Sequence, residues 1–170
     1  TYKLEPWMLV IADSEKALDI AGIKGGNNSG IDASTKRVLL SACTFDGTTI
    51  RKTSQKLGLR TDASIRFEHG LSPHLAEVGI NRLAVLVGEL AGGEASSDIL
   101  DAYPVPQEPR TITVTAHDVE RLLGLTLTEK QIEDILNRIG FGFKPGFVVE
   151  VPPTRLDLEG VADMVEEIGR

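Results

Sequence analysis

Tyr103-Pro104-Val105-Pro106-Gln107-Glu108-Pro109 decides how this chain is organised. Three prolines within six residues each fix φ and remove a backbone donor, so no regular helix runs through them and an extended linker is expected. The 170 residues therefore divide into a first part, 1–102, a linker, 103–109, and a small module, 110–170.

Downstream of the linker the pattern is regular. Thr111-Ile112-Thr113-Val114 alternates as a strand does. Val119, Leu122 and Leu123 mark a short helix stopped by Gly124. Thr128-Glu129-Lys130-Gln131 is a capping box, opening a helix with Ile132, Ile135, Leu136 and Ile139 on one face and Gly140 at its end. Phe147 to Val151 reads as a second strand, and an acidic helix closes the chain. The β-α-α-β-α order is an α+β module similar to helix-turn-helix and winged-helix folds. Glu129, Glu133 and Asp134 outnumber Lys130 and Arg138 on its second helix, which argues against reading DNA.

Upstream, Met8-Leu9-Val10-Ile11-Ala12 is a buried-strand candidate, and Ala17 to Ala21 can pair with it as a hairpin. The glycine-rich stretch Gly22 to Gly30 is expected to be a loop, and its spacing fits neither a P-loop nor a dinucleotide fingerprint. Val38 to Cys43 reads as another strand, with Cys43 an inert buried thiol. Thr48 to Leu57 is expected to be a helix with a basic face. Ser72-Pro73 predicts the N-cap and first residue of the longest helix, with Leu75, Leu83, Leu86 and Leu90 as its apolar stripe. Gly79 in that stripe would admit a close neighbour, and Gly92-Gly93 would end the helix.

The net charge of −7 speaks against a self-sufficient nucleic-acid binder. The charge is uneven. Arg51, Lys52, Lys56, Arg60 and Arg66 against Asp62 and Glu68 leave +3 over residues 51–69. Residues 150–170 carry −4. No window is apolar enough for a membrane span, and the N-terminal residues carry no signal-peptide pattern. A single cysteine fits a reducing cytoplasm. An opening at Thr1 without Met is read as a piece excised from a longer protein.

Two stretches could carry chemistry. In Gly58-Leu59-Arg60-Thr61-Asp62-Ala63-Ser64, Thr61 could hold a water or a substrate hydroxyl, and Ala63 is small enough to line a pocket. Arg60, Arg66, Glu68 and His69 are read first as salt bridges holding that segment in place. In the final helix, Asp163, Glu166 and Glu167 fall at i, i+3 and i+4, on one face, with Asp157 just upstream. Spacing alone leaves two readings. One is a solvated acidic face with Asp157 as N-cap and Arg155 beside it as a local ion pair. The other is a Mg²⁺ site, since that hard cation takes oxygen ligands and keeps several waters.

Taken in order, several pieces resemble the β subunit of bacterial phenylalanyl-tRNA synthetase. They are Leu9-Val10-Ile11-Ala12-Asp13, Ala21 to Gly26, Val38-Leu39-Leu40, Gly58 to Ser64, Ile135 to Phe141, Val151 to Asp157 and Asp163 to Ile168. The resemblance covers essentially the whole chain. It implies the C-terminal part of a B3/B4 tRNA-editing domain over 1–102 and a winged-helix-like B5 domain over 110–170. The parent would be a cytoplasmic, ATP-dependent α2β2 ligase joining phenylalanine to its tRNA, with activation on the α subunit and ATP not bound by this piece. The B3/B4 domain would hydrolyse tyrosine wrongly attached to that tRNA. Its pocket positions match Gly25, Thr61 and Ala63, with Ser41 where the family commonly has glutamate. The family's histidine-bearing segment would lie upstream of Thr1. The family's Mg²⁺ ligands, shared with the α subunit, match Asp157, Asp163, Glu166 and Glu167. The fragment by itself is expected not to aminoacylate. Two rivals stay open: an autonomous trans-editing hydrolase of the B3/B4 type, and a non-catalytic module docking through its acidic helix.

Overall fold

A computed structural model describes residues 1–170 as two compact units, Thr1–Asp101 and Ala102–Arg170. No helix is long and apolar enough to cross a membrane.

The first unit opens with strands β1 (Val10–Ala12), β2 (Ala17–Ile20) and β3 (Lys24–Gly25), an antiparallel sheet in that order. Val10 faces Ile20 across the first pair, and Asp19 faces Gly25 across the second. The third strand was expected to be loop. It forms because the Gly26 amide bonds back to the Leu18 carbonyl at 2.8 Å and to the Asp19 carboxylate at 3.1 Å. Helix α1 (Gly47–Leu57) is capped by Asp46, whose carboxylate accepts from the Thr49 amide at 2.7 Å, and it ends at Gly58 in the left-handed region. Helix α2 (Asp62–Phe67) is capped by Thr61. Helix α3 (His74–Ala91) ends at Gly92, φ 64°.

Four expectations for this unit need correction. Val38–Cys43 is not a strand, because no neighbouring strand pairs with it, and Leu39 is 95% exposed. Cys43 is exposed, not buried. Ser72 does not cap α3: the cap position falls to Pro73, and the buried Ser72 hydroxyl has no partner. The apolar stripe of α3 buries none of its residues, with Leu75, Leu83 and Leu90 all exposed and nothing packed on Gly79. The buried apolar residues of this unit are Met8, Ala21, Ile23 and Ile50 alone.

The second unit contains β4 (Arg110–Thr113), α4 (Ala116–Leu123), α5 (Glu129–Arg138), β5 (Gly142–Lys144), β6 (Val148–Val151) and α6 (Val161–Gly169). All pairings are antiparallel, in the order β4-β6-β5. Strand β5 corrects the expected order to β-α-α-β-β-α. Its hairpin with β6 turns through Gly146 and Phe147, both at positive φ, and the Phe143 and Phe147 rings meet edge to face at 5.7 Å. Both helix starts are capping boxes, Thr115 with Asp118 and Thr128 with Gln131. Alternation puts Ile112 and Val149 on the inner face of the sheet, where Val119, Ile132, Leu136, Met164 and Val165 close a fully buried core. Each such side chain contributes roughly 1.5–3 kcal/mol relative to exposure.

Candidate functional site

Helix α6 packs its apolar face, Met164, Val165 and Ile168, into this core, and that packing fixes where its carboxylates point. They do not form one solvated face. Glu167 goes inward with the apolar residues and is 8% exposed, whereas Glu166 stays in solvent. Asp163 turns back over the helix start, accepting from the amides of Glu159 and Gly160 at 2.9 Å each. It satisfies the unpaired amide of the cap residue Gly160 and that of Glu159 just before it. Gly160, not Asp157, therefore occupies the cap position.

Asp157 belongs instead to a cluster built around Arg155. The Arg155 guanidinium donates from Nε to Asp157 Oδ1 at 2.9 Å and from Nη2 to Asp157 Oδ2 at 2.7 Å. The same Nη2 also reaches Glu167 Oε1 at 2.7 Å. Arg170, one helical turn after Glu167, donates to that oxygen as well, at 3.1 Å. The Phe141 ring lies 5.8 Å from the Arg155 Cζ, within cation–π range. Hydrogen bonding to Arg155 holds the carboxyls of both Asp157 and Glu167 below their ordinary range, and the two carboxylates raise the guanidinium in turn.

A Mg²⁺ ion needs several oxygens aimed at one point about 2.1 Å away. No three acidic, histidine or cysteine side chains of this chain converge that way. Of the four expected positions, Arg155 spans Asp157 and Glu167, Asp163 is turned onto backbone amides, and Glu166 is exposed to solvent. As placed, these residues do not fit the ion.

The four positions expected to line an editing pocket are spread over three segments of the first unit. Gly25 lies in β3, Ala63 in the first turn of α2, Thr61 at its cap, and Ser41 in the segment without regular structure before α1. The Thr61 hydroxyl is engaged: it donates to the Ile23 carbonyl at 2.8 Å and accepts from the Ser64 amide at 3.1 Å. Ser41 alone among the four lines a hollow of about 290 Å³, together with Gly22, Cys43, Phe45, Phe67 and Leu75. That volume is at the small end for ligand sites. Phe45 and Phe67 meet edge to face at 5.0 Å, and a Cβ on Gly22 would stand 3.0 Å from Phe45, so glycine there keeps the two rings close. Nearby, Glu68 pairs with Arg60 at 3.5 Å and with His69 at 3.9 Å, while Arg66 donates to the Asp62 carbonyl. The salt bridging read from the sequence is met at Glu68, with Arg60 and His69, whereas Arg66 makes no salt bridge and bonds a carbonyl of its own helix.

The reach of Arg155 to Glu167 was not visible beforehand. Arg170 at i+3 from Glu167 is a readable signal. Arg155 is twelve residues from Glu167, and only the fold brings them together.

The sequence profile of the B3/4 domain matches residues 1–92, and that of the tRNA synthetase B5 domain matches residues 112–170. The chain is 42% identical over 166 residues to the phenylalanine–tRNA ligase beta subunit of Carboxydothermus hydrogenoformans, covering 96% of this chain and 21% of that protein. It is 40% identical over 166 residues to the Geobacter metallireducens protein of the same name, covering 95% of this chain and 21% of that one. For the Moorella thermoacetica beta subunit the figures are 40% over 171 residues, 99% and 21%. The chain thus spans about a fifth of the length of these relatives. With a B3/4 domain followed by a tRNA synthetase B5 domain in one continuous match, the chain belongs to the phenylalanine–tRNA ligase beta subunit family.

Proposed function

We propose that this chain serves as the editing-to-B5 segment of a phenylalanine–tRNA ligase β subunit. The observation that carries the reading is the match, at about 40% identity over nearly the whole chain, that takes in both the B3/4 and the B5 domain. On this reading the whole enzyme joins phenylalanine to its tRNA with ATP, the α subunit activates the amino acid, and the assembly works in the cytoplasm. Residues 1–102 contribute a wall of the pocket that removes wrongly attached tyrosine, 103–109 link, and 110–170 meet the α subunit.

Within the first unit, the aromatic hollow beside Ser41 is the place for a tyrosine ring, and the Ser41 hydroxyl can bond a phenol without bringing a charge. Thr61 serves by joining the strand that carries Gly25 to the helix that carries Ala63. Docking through the acidic helix is the weaker reading, because α6 turns Met164, Val165 and Ile168 into its own core and Glu167 is buried with them, which leaves Glu166 as its exposed carboxylate.

A chimera tests the proposal. The matching segment of the Carboxydothermus hydrogenoformans β subunit is replaced by residues 1–170 and co-expressed with its α subunit. Assembly with the α subunit, phenylalanyl-tRNA formation and hydrolysis of Tyr-tRNA are then measured. The expected result is assembly with aminoacylation retained and both activities absent from the isolated chain. A chimera that folds but fails to assemble would overturn the reading. Hydrolysis of Tyr-tRNA by the isolated chain would replace it with the autonomous hydrolase.

A further inference from the structure

The positive charge over residues 51–69 has no part in the function proposed above, and helix α1 concentrates it. The inner side of α1 buries Ile50, Thr53 and Ser54. Its outer side is Thr48, Arg51, Lys52, Gln55 and Lys56, all exposed and spaced i, i+3, i+4, i+7 and i+8, one stripe of a helix. Three cations and two neutral hydrogen-bonding groups make up that stripe. No residue of α1 is acidic, in a chain of net charge −7. Lys52 and Lys56, one turn apart, repel each other and cost the helix stability. Arg51 and Lys52 are in no salt bridge, and the cap Asp46, which acts on Lys52 electrostatically, is taken up by the amide and hydroxyl of Thr49. An aromatic ring stands at the Lys56 end. The Glu5 carboxylate meets the Lys56 ammonium through Oε1 at 3.2 Å and accepts from the Trp7 indole N–H through Oε2 at 2.7 Å. Trp7 is 43% exposed, on a turn closed by the Met8 amide donating to the Glu5 carbonyl and anchored by buried Met8.

We propose that this surface binds single-stranded RNA, with phosphates along the α1 stripe and a base stacked on Trp7. Arg51, Lys52 and Lys56 supply the charge that a phosphate backbone requires, and Thr48 and Gln55 add hydrogen bonds to phosphate oxygens between them. The indole N–H is already satisfied by Glu5, so what Trp7 has left to offer is the surface of its ring. Every base has a face that stacks on such a ring, whatever the sequence. An acidic peptide would use the cations and leave the ring idle; the exposed tryptophan beside them decides for RNA. The charge of the whole chain sets the strength: three phosphate contacts give a weak, salt-sensitive hold, an accessory contact within a larger enzyme. The source of the RNA, an unpaired stretch of a tRNA, rests on the function proposed above. The surface itself rests on its side chains.

The test titrates the 170-residue chain against a short oligoadenylate RNA. Anisotropy of a fluorescein-labelled strand reports binding, and the emission of Trp7, the sole tryptophan, reports stacking with unlabelled strand in parallel. Binding should saturate with a Kd on the order of 10⁻⁴ M at about 50 mM salt, and Trp7 should be quenched in step. Three phosphate contacts predict that log Kd rises with log salt at a slope of about 2, and R51Q/K52Q should lower that slope to about 0.7 and weaken binding more than tenfold. W7A should weaken it about five- to a hundredfold, and W7F, which keeps a ring, should fall between. K130Q/R138Q, which removes the same charge from exposed positions of the second unit, should bind like wild type. If W7A does not fold, W7F and the quenching carry the comparison. Equal affinity in wild type and R51Q/K52Q overturns the proposal, and so does polyglutamate that binds as well with the same Trp7 response. RNA binding with Trp7 emission unmoved overturns the stacking and with it the preference for single strands. Failure to bind RNA at all overturns the surface and leaves the family function standing, since the chimera tests that separately.

Discussion

The Thr61 hydroxyl donates to the Ile23 carbonyl across 2.8 Å, joining residues 38 apart in sequence. The same oxygen accepts from the Ser64 amide and so caps α2. One side chain therefore fixes both the helix start and its position against the strand segment. Thr61→Val keeps the shape and removes both bonds. The lost cap costs about 1 kcal/mol, and the carbonyl left unpaired on buried Ile23 adds about the same. The Ser64 amide should then exchange with solvent deuterium roughly thirtyfold faster, whereas Thr61→Ser should exchange like wild type. Unchanged exchange in the valine variant would show that the bond to Ile23 holds nothing in place.

Arg155 pairs with two carboxylates at the same distance, but the two should not be worth the same. Asp157 is 62% exposed and Glu167 is 8% exposed. Removing an exposed partner forfeits a screened interaction, whereas removing Glu167 takes away the buried carboxylate that Arg155 and Arg170 share and leaves Arg155 only the exposed Asp157. Glu167→Ala should cost about 2–3 kcal/mol and Asp157→Ala under about 1 kcal/mol, read from urea midpoints at constant slope. Equal losses would mean that burial does not set the strength of this cluster.

How much of this was legible depended on how local each signal is. Thr128 with Gln131 and the stops at Gly92 and Gly124 are properties of neighbouring residues, and they stand where the sequence puts them. Strands depend on partners far away. Val38–Cys43 has the composition of a strand and no partner, while Lys24–Gly25 has no strand composition and is paired because Gly26 folds back onto Leu18. The 142–144 strand was hidden for a similar reason: three residues that need the turn at Gly146 and Phe147 to meet β6. At the acidic end, spacing put Asp163, Glu166 and Glu167 on one face, which is true of a bare helix. Packing of Met164, Val165 and Ile168 then rotated Glu167 into the core and left Glu166 outside.

The two units should differ in stability. The second buries Ile132, Leu136, Val149, Met164 and their neighbours in one cluster. The first buries four apolar residues and exposes Leu39, Leu75, Val78 and Leu90. At about 1.5–3 kcal/mol for each fully buried aliphatic side chain, the first unit has far less to set against its chain entropy. Trp7 is the sole tryptophan and lies in the first unit, where its indole N–H bonds to Glu5 at 2.7 Å. Its fluorescence should change at a lower urea concentration than the bulk of the far-ultraviolet circular dichroism. Coincident transitions would mean that the two units unfold as one.

Acid should reach the second unit partly through Asp118. Its carboxylate accepts from the hydroxyl of Thr115 at 2.6 Å and from the Thr115 amide at 3.0 Å, closing the reciprocal cap of α4, with Arg121 at 3.6 Å. The Thr115 hydroxyl bond, then the amide, holds the Asp118 carboxyl below its ordinary range. A carboxyl lowered on folding contributes stability that is complete above its unfolded value, about 3.9, and disappears as pH falls through the lower folded value. Asp118→Asn removes that contribution at every pH. The melting temperature of the variant should therefore fall below wild type at pH 7 by an amount that is unchanged at pH 5 and shrinks below about pH 4. A gap that stays constant down to pH 2 would assign the loss to the shape of the cap and not to the charge of the carboxylate.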